Sequence, residues 1–176
     1  QAVGAFEAAE HLLEAEHGWY FLYFHGATAF DEVLAGFPEE ASRQSDIVVF
    51  CRALQALKHG EVSLARRLLA DRFGNETLEP ARVLAARGRY SAEFRSFRLV
   101  MLIYEDIPLT EDLLQLAFAI LADLPIESHL LRGSIHNAIL EFYLRTRRFA
   151  EAEDVAERAL RHYRAAGASL LAFYIS

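Results

Sequence analysis

Apolar residues along this chain recur three and four positions apart, and they almost nowhere alternate in the manner of a strand. Phe6, Ala9, Leu12 and Leu13 make the first such stripe, in a helix expected over residues 2–16 and broken by His17-Gly18. Two short helical segments, 19–25 and 27–35, follow on either side of Gly26, and Pro38 closes this N-terminal block over 1–38. Residues 38–45 are polar and read as a connection. The next helix, 46–59, turns Val49, Phe50, Ala53, Leu54 and Leu57 to one side and stops at Gly60. Residues 61–72 pair with it through Val62, Ala65, Leu68 and Leu69. Gly74-Asn75 marks a turn, and a short helix over 78–87 ends at Gly88.

Ser91 is placed to cap a helix running to Tyr104, and residues 105–109 form a loop with Pro108. Thr110 caps the next helix, with Glu111 and Asp112 matched to its positive end. Leu113, Leu116, Ala117, Ile120, Leu121 and Leu124 face inward there until Pro125. A long helix over 127–146 follows, with Gly133 as a weak point. The chain therefore divides into helix pairs at 46–73, 91–125 and 127–166, and residues 167–176 open a further unit. The expected fold is all-α, a superhelical stack of antiparallel helix pairs in a single domain over 1–176.

Residues 133–166 make a 34-residue unit of two amphipathic helices, which is the period of tetratricopeptide repeats. Tyr143, Ala152 and Ala159 fit that pattern, since small residues let paired helices approach closely, while its Trp, Gly and Pro are missing. Registering Leu113 and then Ala65 on Ala152 extends the repeat backwards with irregular spacing. An ordinary helical hairpin stays open as the alternative. The last stretch, Leu170 to Ser176, reads as a helix cut short, whose Leu170, Leu171, Phe173 and Tyr174 await a covering helix or self-association.

Composition narrows the class. With 176 residues and 53% hydrophobic content the chain can bury a sizeable core. No apolar run is long enough to span a membrane, and no signal peptide is recognisable. A single cysteine, Cys51, rules out an internal disulfide framework and suits a cytoplasmic protein. A net charge of −7 argues against direct nucleic-acid binding, which needs clustered cations. Arg158, Arg161 and Arg164 alternate with acidic residues and match a helix with an acidic start and basic end.

Chemistry-bearing patterns are few. There is no Gly-rich phosphate loop, no G-x-S-x-G and no paired-cysteine metal site. No catalytic residue, cofactor or metal is expected. Glu7, Glu10, His11 and Glu14 share a helix face that could hold a cation, but a solvated polar face accounts for them. His136 stands where the repeat has its tryptophan and reads as a partly buried packing residue. Glu105-Asp106 suits a turn. The aromatic run Trp19, Tyr20, Phe21, Tyr23 and Phe24 is read as core.

Several segments together carry a family resemblance: Gly18-Trp19, Gly26, Phe30, Val33, Leu34 and Phe37-Pro38; Arg52-Ala53-Leu54-Gln55-Ala56-Leu57-Lys58-His59-Gly60; Leu124-Pro125; Leu130-Leu131-Arg132-Gly133-Ser134-Ile135-His136-Asn137-Ala138; and His162-Tyr163-Arg164-Ala165-Ala166-Gly167. Over most of its length the chain resembles the helical-repeat region of the large LuxR-type, MalT-like bacterial transcription regulators. The resemblance implies a parent with a nucleotide-hydrolysing module before this segment and a helix-turn-helix after it. It implies a non-catalytic region that senses an inducer or a partner protein. A tetratricopeptide-like scaffold of some other cytoplasmic protein is the alternative. In such stacks the first helices of successive pairs line the concave face. That register places Arg95, Arg98, Asn137, Glu141 and Arg145 there, flanked by Leu102 and Leu144, as candidates for holding an acidic peptide or a small polar inducer. Replacing Arg95 and Arg98 by alanine is then expected to weaken the response without unfolding the domain.

Overall fold

A computed structural model describes residues 2–176, and every regular element in it is helical; the β-type feature among these residues is an isolated bridge between Arg87 and Tyr90. The helices are α1 (Ala2–Ala15), α2 (Phe21–His25), α3 (Ala27–Ala35), α4 (Glu39–Gln44), α5 (Asp46–Lys58) and α6 (Val62–Phe73). They continue as α7 (Pro80–Ala85), α8 (Ala92–Tyr104), α9 (Glu111–Asp123), α10 (His129–Arg145), α11 (Phe149–Ala165) and α12 (Ser169–Phe173). Turns of 3-10 helix occupy Gly18–Tyr20 and Asn75–Leu78. Among the described residues no helix is long and apolar enough to cross a membrane. Where the sequence suggested one domain over 1–176, the structure forms two compact units, 1–78 and 79–176. The expected helix over 78–87 straddles that boundary and shortens to α7, because Pro80 supplies a natural first helical position.

The first unit is built around α5. Ser45 accepts a hydrogen bond from the Val48 N–H and starts the helix, and residues Ile47 to Cys51, Ala53, Leu54, Ala56 and Leu57 are buried. Trp19 and Tyr20 are buried with their rings stacked at 3.7 Å, and Phe30 and Leu34 are buried as well. α6 folds back antiparallel on α5, with Phe50 and Phe73 stacked at 5.6 Å. The reversal is made at Gly60, whose φ of 78° lets the Glu61 N–H close on the Ala56 carbonyl at 2.8 Å. Two expectations change here. Residues 39–44 form α4 rather than an irregular connection. Leu12, expected inward, is 67% exposed, whereas Leu13 beside it is buried.

In the second unit the caps fall where the sequence put them. Ser91 accepts from the Phe94 N–H and Thr110 from the Leu113 N–H. Every residue from Phe94 to Leu99 is buried, so α8 is enclosed on all sides. α8 and α9 run antiparallel, as do α10 and α11. The last pair makes the tightest contact: a Cβ placed on Gly133 would lie 2.6 Å from the Tyr163 ring. Gly133 is thus a point of close approach and not a weak point in α10. The Tyr163 hydroxyl lies 3.3 Å from Ser134 Oγ, and burial pushes its pKa up to about 12. α12 is short. It buries Leu171 and Ala172 and leaves Leu170, Phe173 and Tyr174 exposed, so the open apolar face expected there lacks Leu171.

Gly133→Ala tests the close approach. Helix propensity alone favours alanine by about 1 kcal/mol. Overpacking against Tyr163 costs about 1–3 kcal/mol and dominates, so urea denaturation should show a net loss of stability.

Candidate functional site

The five residues expected to share one binding face divide into two groups. Asn137, Glu141 and Arg145 follow one another at four-residue intervals along α10 and are at least partly exposed. Arg145 donates to Glu141 at 2.7 Å and to Asp106, in the turn after α8, at 3.3 Å. Arg95 and Arg98 do not join them. Their side chains are only 5% and 1% exposed, and each is held by a carboxylate of this chain. Arg98 donates to Glu105, itself fully buried, at 2.8 Å. Arg95 donates to Asp123 at 3.0 Å, and Asp123 also receives Arg87 at 2.7 Å. The assignment of Arg95 and Arg98 to an accessible concave face is therefore corrected. Both belong to the interior of the second unit, because α8 is packed on every side and a guanidinium there requires an internal partner.

In the first unit a groove of about 460 Å³ lies between α4, α5 and α6. Val49, Ala56, Leu64 and Leu68 supply its apolar surface. Arg52 is fixed at one side, because its guanidinium donates to the Leu34 and Phe37 carbonyls at 3.2 and 3.1 Å. Two further cations are engaged locally, Arg43 with Glu39 and Arg72 with Asp46. Arg67, on the exposed side of α6, makes no ion pair among the described residues. The groove thus combines an apolar floor with a charged rim.

The acidic face of α1 is not assembled into a cation site. Ser45 donates to Glu10, His11 sits 3.4 Å from Glu14, and no group of three potential ligands converges among the described residues. Histidines do gather between α10 and α11. His129 Nδ1 and His162 Nδ1 are 3.1 Å apart, and the His136 and His162 rings stack at 5.6 Å. His136 is buried, as expected of a packing residue, but its Nδ1 has no hydrogen-bond partner. Burial first, then the neighbouring His162, Arg132, Arg158 and Arg161, lower its pKa to about 4. His162 is lowered as well, mainly by burial.

Comparison with protein-family models, curated proteins and solved structures finds no match.

Two outcomes follow. Arg98→Met takes the Arg98 cation away from the buried Glu105 side chain, and should cost about 3–5 kcal/mol in denaturant unfolding. Adding Glu105→Leu should recover most of that loss, which identifies the pair as internal structure. The second concerns acid. His136 binds its proton more weakly folded than unfolded, so its contribution is complete above about pH 6.5 and is lost as pH falls towards 4. The span is on the order of 3 kcal/mol. His136→Gln should flatten the pH dependence of stability across that window.

Proposed function

We propose that this chain is a non-catalytic sensing and interaction region of a LuxR-type, MalT-like transcription regulator, built of tetratricopeptide-like helix pairs and acting in the cytoplasm. The chain's resemblance to that family suggests it, and the helix pairs support it. α5–α6 and α10–α11 are antiparallel and closed by tight turns, and Ala65, Ala152 and Ala159 are buried along their second helices, as close pairing requires. The carrying observation is the groove between α4, α5 and α6, which is open, apolar at its base and rimmed by charge. It suits a short peptide segment of a partner protein or of the parent chain. Arginines outnumber acids among its lining residues, and Arg67 is the cation left for an incoming carboxylate. No cofactor, metal or nucleic acid has a role in this scheme.

Arg67→Glu places a negative charge at the rim without touching the core. In the full-length regulator it should weaken the response to inducer or partner about tenfold while thermal unfolding stays unchanged. A normal response would remove the groove from consideration. The parent reading frame tests the family assignment separately: a phosphate-loop module upstream and a helix-turn-helix downstream are required by it.

A further inference from the structure

Three histidines meet at one end of the α10–α11 pair, where α10 begins and α11 finishes. His129 and His162 approach Nδ1 to Nδ1 at 3.1 Å, and both are partly exposed. Their ring centroids are 5.3 Å apart, so the rings address each other through their nitrogen edges. Two imidazole nitrogens bond at that distance only with one proton between them: one Nδ1–H donates and the other, bare Nδ1 accepts. His136 is buried in α10 and stacks on His162, with centroids 5.6 Å apart and planes 13° from parallel.

The charges around the three rings oppose further protons. Arg132 of α10 and Arg161 of α11 act on His162, and the same two with Arg158 act on His136. The nearby acids of α11 are engaged, Asp154 by Arg158 at 2.9 Å and Glu157 by Arg161 at 3.5 Å. Of the other elements packed here, α9 ends in Asp123, which holds Arg87 and Arg95, and α8 is followed by Glu105, which holds Arg98. α12 carries no charged residue, and Tyr163 is kept neutral by burial. Glu127, in the turn before α10, makes no ion pair among the described residues. His162 lies in the last turn of α11, where the helix dipole favours a cation. Burial first, then Arg132, His129 and Arg161, outweigh the dipole and lower its pKa.

We infer that the His129–His162 pair is an acid-operated latch between α10 and α11, which tolerates one added proton and opens on the second, freeing the end of α11 together with α12. The first proton goes to the bare Nε2 of the donating ring and leaves the N–H···N bond in place, now charge-assisted. The second has to take the accepting Nδ1. Two N–H groups then face each other, and two imidazoliums stand beside Arg132 and Arg161. A proton on His136 adds a third cation in the same buried place. α12 is tied to this end, since the Ala168 N–H donates to the Tyr163 carbonyl at 2.9 Å and Leu171 and Ala172 are buried. Opening uncovers those two residues. The latch is separate from the groove on α4–α6 and does not depend on the family reading.

Amide hydrogen exchange followed by NMR between pH 7 and pH 4, corrected for the intrinsic pH dependence of exchange, reads the opening of each helix separately. The last turn of α11 and α12 should open before α8 and α9, taking up about two protons near pH 5, one at the pair and one at His136. His129→Gln keeps a side chain that can accept from a protonated His162 but does not titrate. It removes the clash and leaves His136 in place. Uptake should therefore fall from about two protons to about one, and the opening should move to a pH lower by about one unit. His129 is partly exposed, so this variant folds. His162→Gln, from the other side of the pair, should give the same change. The latch is overturned if the end of α11 opens only together with α8 and α9, if its opening takes up a single proton in the unsubstituted chain, or if both variants open at the unsubstituted pH.

Discussion

A helix ends with carbonyls that have no amide left to bind, and in a protein made only of helices and short turns those open ends recur at every connection. This chain closes them in two ways. After α5, α8, α10 and α11 the backbone swings into the left-handed region at Gly60, Asp106, Arg147 and Gly167, and the next amide returns to the carbonyl five residues back, at 2.8 to 3.0 Å. After α3 and α9 a proline follows, at Pro38 and Pro125, and contributes no amide. There a guanidinium from a later helix adds donors to the helix end. Arg52 spans the carbonyls of Leu34 and Phe37, and Arg132 those of Leu121 and Leu124. Both arginines bridge carbonyls three residues apart, and both therefore set the distance between the helix that ends and the one that follows.

Buried cations are the other side of the same economy. Arg95 and Arg98 sit in a helix enclosed on all sides, where they are tolerable only because Asp123 and Glu105 are brought to them. Such pairs contribute less to stability than an apolar replacement could, but they are intolerant of misplacement. Asp123 in particular is positioned at the last residue of α9, so its pairing with Arg95 ties the register of α9 to that of α8.

Much of the fold was legible. The caps at Ser91 and Thr110, the stop at Gly60 and the apolar stripes of α5, α9 and α11 follow from local chemistry and period, which depend on neighbours in sequence. What escaped depends on neighbours in space. Gly133 looked like a helix breaker because the Tyr163 ring that occupies its missing side chain is thirty residues away. Arg95 and Arg98 looked like ligands because periodicity assigns a face without saying what covers it. The candidate site is correspondingly less legible: the groove depends on how α4 meets α6, and the polar residues of α4 read in sequence as a connection. Of the expected set, Glu141 and Arg145 are together because a four-residue interval on one helix suffices.

The arginine closures also order events in time. A chain leaving the ribosome exposes Leu34 and Phe37 well before Arg52, and Leu121 and Leu124 before Arg132. Until the later helix arrives, the ends of α3 and α9 lack the guanidinium contact that fixes their exit. Each is thus completed by a residue that emerges after the helix itself. The nascent protein would gain its native helix ends in steps, N-terminal unit first.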